Sequence, residues 1–384
     1  MFHAPGTPSR RKFLRASAAG ALAAAVAAPA SAALNYAKPK EWDALVRAAT
    51  QEGQLVIYTP EGDQYEAALV ARFQRAYPAI HVSSATNSGG GQARLFAERA
   101  AGRYIPDIWV TGSTIALLNL KPVGALAPLE PLLVLPEILD RSAWFQNMLW
   151  WNDAAPPRTN VSFAGLVTPA FFVNTSLVKA ADFKSYWDFA DPKWRGKIAS
   201  TDLRNIGPGS TPASYIYKEK RLGQPWFDRF FGKLDVVLSR SQRQIVDWCA
   251  QGQYPIAAFA SATEVQNAAN AGLPIAGIPL SQLREGGALG PNTGTISVIK
   301  PTPHPNAAKL YVNWLLSREG QLAWQEETKQ ASLRMDVIKN DLYLAPLKTA
   351  GITYANGGAQ EYGEAAAALK DVINDILKKN GRPI

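Results

Sequence analysis

At 384 residues, 47% of them hydrophobic and 18% charged, the chain exceeds what one core ordinarily holds, so two domains are expected. Of its net charge of +9, the surplus left beyond the N-terminal Arg10, Arg11, Lys12 and Arg15 is scattered rather than gathered in a basic stripe, which excludes the footprint of a nucleic-acid binder and mildly favours acidic ligands. The single cysteine, Cys249, excludes a disulfide framework and a cysteine-based metal cluster.

Ser9-Arg10-Arg11-Lys12-Phe13-Leu14-Arg15 lies near the N-terminus, ahead of an uncharged Ala-rich run from Ala16 to Ala28 and a small-residue cleavage site at Ala30-Ser31-Ala32. This pattern predicts a signal peptide over 1–32, and the paired arginines followed by Phe and Leu match the twin-arginine export pattern. The run is too short and too Ala-rich to span a bilayer. No cysteine stands directly after the cleavage site, so no lipid anchor is expected. The expected location is the periplasm, with a Sec signal that happens to contain Arg-Arg as the competing reading.

Beyond the leader, Glu41 to Glu52 carries Trp42, Leu45, Val46 and Ala49 at helical spacing. Gln54 to Tyr58 reads as a buried strand, Glu66 to Tyr77 as an amphipathic helix and Ile80 to Val82 as the next strand. This β-α-β order argues for a parallel sheet. Thr86-Asn87-Ser88-Gly89-Gly90-Gly91-Gln92 follows, then a helix from Ala93 to Ala101, with Ser88 as its natural cap. The glycines there can bring bare N–H groups to a ligand, although no P-loop or dinucleotide fingerprint is present. Asp107 to Ser113 is a third strand. Three successive strands therefore end in hydroxyls: Thr59, Ser88, and Thr111 with Ser113. Leu120 to Leu139 is a loop-and-turn region. The aromatics Trp144, Phe145, Trp150 and Trp151 suit core packing or a wall for a ring-bearing ligand.

Phe163 to Asn174 reads as one long β run crossing into a second domain, and Asp182 to Phe189 as a helix. Strands are expected at Lys197 to Ser200, Val236 to Ser239, Ile256 to Ala260 and Ile275 to Ile278. Helices are expected from Pro212, over Gln224 to Leu234 and Gln242 to Gln251, and after Ser261. Gly294 to Ile299 reads as the return crossing. Pro305 to Leu316, Gly320 to Glu327 and Glu361 to Lys379 complete the chain as helices. Cys249 sits in an apolar helical pattern and reads as buried. In open α/β sheets ligands bind beyond the carboxyl ends of strands, and helix starts attract anions. The loop from Thr201 to Thr211 joins both features and adds Asp202, Arg204, Ser210 and Thr211. Arg204 is either a clamp for an acidic group or a salt-bridge partner of Asp202.

Asp191-Pro-Lys-Trp-Arg-Gly-Lys-Ile-Ala-Ser-Thr-Asp202 resembles the segment that opens the second lobe of the extracellular solute-binding proteins of ABC transporters, in the ferric-iron, phosphonate and polyamine branch. Gln54 to Thr59 and Gly294 to Lys309, with Trp314-Leu-Leu-Ser317 after them, support the likeness. The resemblance implies an α/β fold of the type II periplasmic-binding-protein kind, two lobes around a ligand cleft. The first lobe would span 33–160 and 295–384, the second 161–294. It further implies a monomer that captures a small-molecule solute, acidic ligands being favoured, and delivers it to an ABC permease. The candidate contacts are Thr59, Ser88, Gly89, Gly90, Thr111, Ser113, Asp202, Arg204, Ser210, Thr211 and Ser261.

Two alternatives stand beside it. The iron-carrying relatives use a carboxylate after the third strand and a tyrosine pair after Pro255-Ile256-Ala257-Ala258. Here those places read Thr111-Gly112-Ser113 and Phe259-Ala-Ser-Ala-Thr263, so a metal site is not expected. A folded-export signal suits an exported cofactor-bearing enzyme, but no nucleophile elbow or zincin motif is present, and neither catalysis nor a cofactor is expected.

Overall fold

Apolar strands alternating with amphipathic helices fold, in the computed structural model, into two sheets of mixed direction joined by a small third one. The structure describes residues 36–339 and 353–382, and the expected signal peptide lies outside them. The first stretch runs α1 (Trp42–Glu52), β1 (Gln54–Thr59), α2 (Asp63–Glu66), a π-turn over Ala67–Ala71, α3 (Arg72–Ala76), β2 (His81–Thr86), α4 (Gly91–Ala100) and β3 (Ile108–Thr111). Next come α5 (Ser113–Ile115), extended by a π-turn over Ala116–Leu120, α6 (Pro136–Leu139), β4 (Trp150–Trp151), β5 (Val161–Ser162) and β6 (Leu166–Val167). The second stretch holds β7 (Phe171–Asn174), β8 (Ile198–Thr201), α7 (Ser210–Lys218), α8 (Gly223–Lys233), β9 (Val237–Ser239), α9 (Gln242–Ala250), β10 (Ile256–Ala258), α10 (Ala262–Asn270) and β11 (Ile275–Gly277). The chain then passes β12 (Ala288–Gly290), β13 (Thr295–Val298), α11 (Pro305–Leu316), α12 (Arg318–Thr328), β14 (Ala355–Asn356) and α13 (Gln360–Lys379).

The first sheet has the order β2-β1-β3-β13-β5-β4. Its β1 lies parallel to β2 (Leu55 opposite Val82) and to β3 (Ile57 opposite Ile108), as the β-α-β reading requires. The return strand β13 is antiparallel to β3, with Ile296 opposite Val110. Gly53 ends α1 at a positive φ of 64°, its N–H bonded to the Ala49 carbonyl, which lets β1 start at once. The second sheet has the order β11-β7-β10-β8-β9, with β8 parallel to β10 and β9 and β7 antiparallel to β10. Phe171 stacks on Phe189 at 3.8 Å between centroids, and Trp226 on Phe230 at 4.6 Å, beneath this sheet.

Trp144 and Trp150 are wholly buried, and their indole N–H groups donate to the Ile138 and Phe145 carbonyls. They are packing residues. Trp151 is half-buried against the same core.

The third sheet, β14-β12-β6, lies between the two large ones in the chain's path. The run 163–174 is therefore not one strand. It breaks at Thr168-Pro169, leaving β6 in the linking sheet and β7 in the second. The region 182–189 forms 3-10 turns over Ala180–Asp182 and Tyr186–Ala190, the latter closed by a Ser185–Asp188 capping box. The closing helix α13, expected with the first lobe, packs largely on α7 and α8. Arg204 bonds Asn374 at 3.5 Å, Lys233 bonds Asn380 at 3.1 Å, and Arg382 donates to the Phe231 carbonyl at 2.9 Å. Its first turns also rest on α5, where Gly363 meets Thr114 and Leu118. Among the described residues, no helix is long and apolar enough to cross a membrane.

Candidate ligand-binding site

Three helices begin at one cleft of about 380 Å³. Gly112 in extended conformation turns β3 into α5, and Ser113 and Thr114 line the cleft. Gly209 leads into α7, which presents Ser210 and Thr211. Ser261 caps α10, its hydroxyl accepting the Glu264 N–H at 3.4 Å, and Ala262 and Thr263 face the same space. A helix start carries N–H groups without intrahelical partners and the positive end of the dipole. Opposite these starts the linking sheet supplies Leu166, Thr168, Gly290, Pro291 and, past β14, Gly357.

Close packing fixes these positions. A Cβ on Gly209 would lie 2.5 Å from the Phe259 Cβ and carbonyl oxygen, so only glycine lets the loop lie against the end of β10. Phe259 itself holds a left-handed φ of 56°, which turns the chain from β10 towards Ser261.

The lining is polar but uncharged. Among the described residues that form it there is no Asp, Glu, Lys, Arg or His, whereas seven side chains bear hydroxyls. Ser113 is 6% exposed, and its hydroxyl has no hydrogen-bond partner among the described residues. The half-buried hydroxyls of Thr114, Thr168 and Thr211 likewise bond to nothing described. The Ser113 hydroxyl opens on the cleft, where water or a ligand can reach it.

Of the residues expected from sequence, Ser113, Ser210, Thr211 and Ser261 meet in this cleft. Ser88, Gly89, Gly90 and Thr111 line a neighbouring hollow of about 580 Å³ with Asn87, Gln92 and Phe96. Ser88 does not cap α4. Gly90 holds that position at φ 124°, and Ser88 Oγ instead accepts the Glu61 N–H at 3.4 Å. Thr59 is buried and its hydroxyl donates to the Pro60 carbonyl at 2.6 Å.

Asp202 and Arg204 line neither space. Asp202, 3% exposed, accepts from Arg204 Nε at 2.7 Å and Nη2 at 3.0 Å, and Arg240 Nε lies 3.4 Å away. Burial pushes the Asp202 carboxyl up, but the bonds from Arg204 and Arg240 outweigh it and hold the pKa below the ordinary carboxylate value. Of the two readings of Arg204, the structure displays the salt bridge. Cys249 is buried at the Pro255 carbonyl, and desolvation pushes its thiol up to about 12, which disfavours the thiolate.

Sequence reasoning missed the linking-sheet residues and Ile206, which is 66% exposed at the cleft. The Thr168-Pro169 and Pro291-Asn292 pairs were the available cues, since proline ends strands. Among the described residues, no group of three or more His, Cys, Asp or Glu side chains is placed to hold a metal ion.

The fold is similar to that of the periplasmic binding protein AfuA from Actinobacillus pleuropneumoniae with exogenous fructose-6-phosphate bound (TM-score 0.56, 19% identity, 86% of this chain and 99% of that one). It is also similar to iron-bound HitA from Pseudomonas aeruginosa (TM-score 0.60, 20% identity, 84% and 99%) and to a Bordetella ferric binding protein (TM-score 0.63, 18% identity, 84% and 98%). These likenesses establish the two-lobed type II periplasmic-binding-protein fold. The sequence profile of the bacterial extracellular solute-binding proteins matches residues 58–322, more than half of the chain, and the chain belongs to that family.

Proposed function

We propose that this protein captures a small anionic organic solute, a phosphate ester above all, by closing its lobes, and delivers it to an ABC permease from the periplasm. The observation that carries the reading is the convergence of three helix starts and the unpartnered Ser113 hydroxyl on a cleft without charged side chains. N–H groups and hydroxyls of this kind hold oxyanions. The ligand would touch Ser113, Ser210, Thr211 and Ser261, with the glycine loop at Ser88 to Gly90 approaching on closure. Closure is then a population shift, in which the ligand favours the state where both lobes reach it. The twin-arginine leader would export the protein folded.

AfuA is described with a sugar phosphate and HitA with iron, so both ligand types occur on this fold. Ferric iron favours hard anionic oxygen donors, whereas Ser113, Ala262 and Thr263 stand at this cleft. The lining therefore supports the organic anion over the metal. Native mass spectrometry of the protein purified from its periplasm tests the reading. An anionic solute of a few hundred daltons is expected. A retained cation, a ferric ion or a neutral solute overturns it.

A further inference from the structure

The hydroxyls of Ser113, Thr114, Thr168 and Thr211 and the Asn292 carboxamide line the cleft, and each can donate or accept a hydrogen bond. Such groups serve an oxyanion in either protonation state, so they do not tell one acidic solute from another. Discrimination falls on the apolar part of the lining. Among the described residues there, the large aliphatic side chains are Leu166 and Ile206.

Neither belongs to the core. Leu166 and Val167 form β6, and alternation along the strand sends them to opposite faces. Val167 is 5% exposed and joins the main core. Leu166 is half-buried, packs into no core cluster among the described residues, and lines the cleft. Its cross-strand neighbour is Gly290 of β12, which has no side chain to cover it. A Cβ on Gly290 would stand 3.2 Å from the Thr211 side chain, so this uncovered face adjoins the start of α7. Ile206 stands on the loop from β8 to α7. That loop is fixed on one side by Leu203, 4% exposed in the core, and on the other by Gly209 pressed against Phe259. Between these anchors Ile206 is carried at the cleft, 66% exposed. Covering an aliphatic surface is favourable in proportion to the area removed from water. The helix starts beside these two side chains hold the charged head of a ligand, and its carbon part then lies against them.

On the anion reading, we infer that Ile206 and Leu166 are specificity-determining residues that take the carbon body of the ligand. The cleft thereby selects an organic ester with a short aliphatic chain over a bare oxyanion. Isothermal titration calorimetry at pH 8 with methyl, ethyl and butyl phosphate, which share one head group, tests this on the wild-type protein. A fully buried methylene is worth about fourfold in affinity and one covered on a single side about twofold. Butyl phosphate should therefore bind about eightfold tighter than methyl phosphate. Ile206→Ser should cut that ratio to about threefold or less, and Ile206→Val should retain most of it. At so exposed a position neither variant should shift the urea midpoint. Leu166→Ala should lower the ratio in the same way. An affinity that is level or falls from methyl to butyl phosphate overturns the inference and leaves the anion reading intact. So does an equal loss for all three esters in Ile206→Ser, which would assign Ile206 to lobe closure rather than to the ligand. Binding of none of the three overturns it as well, and removes the anion reading too where the retained solute is neutral or cationic.

Discussion

Arg204→Ala separates what holds this protein together from what holds its ligand. In the folded chain the buried Asp202 carboxylate takes two bonds from the Arg204 guanidinium and one, at 3.2 Å, from the Arg204 N–H. Deleting the guanidinium leaves that carboxylate facing Arg240, whose side chain is 76% exposed. Breaking a buried pair from one side costs about 3–5 kcal/mol. The backbone bond and Arg240 remain, so the expected loss is about 2–3 kcal/mol at pH 7. The pH dependence has a definite sign. A carboxylate whose folded pKa is depressed contributes stability above its unfolded pKa, and that contribution disappears as pH falls through the folded value. The gap between wild type and variant should be full at pH 7 and shrink below about pH 4, where the unfolded carboxyl protonates. Urea unfolding at the two pH values measures it. Calorimetry with the co-purified solute should show affinity within about threefold of wild type, since neither residue lines the cleft. Unchanged unfolding together with about a hundredfold loss of affinity would place Arg204 on the ligand and refute the argument.

Three further outcomes follow from the geometry. Gly209→Ala forces a Cβ to 2.5 Å from the backbone of Phe259 and should cost about 1–3 kcal/mol in urea unfolding while weakening binding through displacement of α7. Ser113→Ala leaves no partner stranded, so unfolding should stay within about 0.5 kcal/mol of wild type while affinity drops about tenfold, read by calorimetry. Arg10→Lys with Arg11→Lys should block export, seen as precursor retained in the cytoplasm by cell fractionation; normal export of the double variant removes the twin-arginine assignment.

The first sheet could be read from the sequence because its elements are long enough to show a period. Trp42, Leu45, Val46 and Ala49 repeat at helical spacing, and α1 begins and ends where they predict. Ser113, Ser210, Thr211 and Ser261 were legible because each closes a strand or a strand-end loop and opens a helix. The linking sheet was not, since β6 and β14 are two residues long and no periodicity exists at that length. Arg204 could not be placed from the sequence for another reason. Its position after a strand suits a ligand, but its side chain folds back two residues to Asp202, and local spacing cannot say which acid an arginine meets. Ser88 lost its capping place to Gly90 because a left-handed turn through Gly89 and Gly90 shifts the helix start.

The linking sheet has a consequence for motion. The chain passes between the lobes at β6 and again at β12, and β14 is hydrogen-bonded alongside before α13 sets out from α5 across α7 and α8. Two adjacent strands alone make a narrow joint, and a third connection beside them would stiffen it against twisting. A Cβ added at Gly363 would come into contact with Thr114 and Leu118, so bulk introduced on the last helix would press on the segment that carries Thr114 without touching the solute.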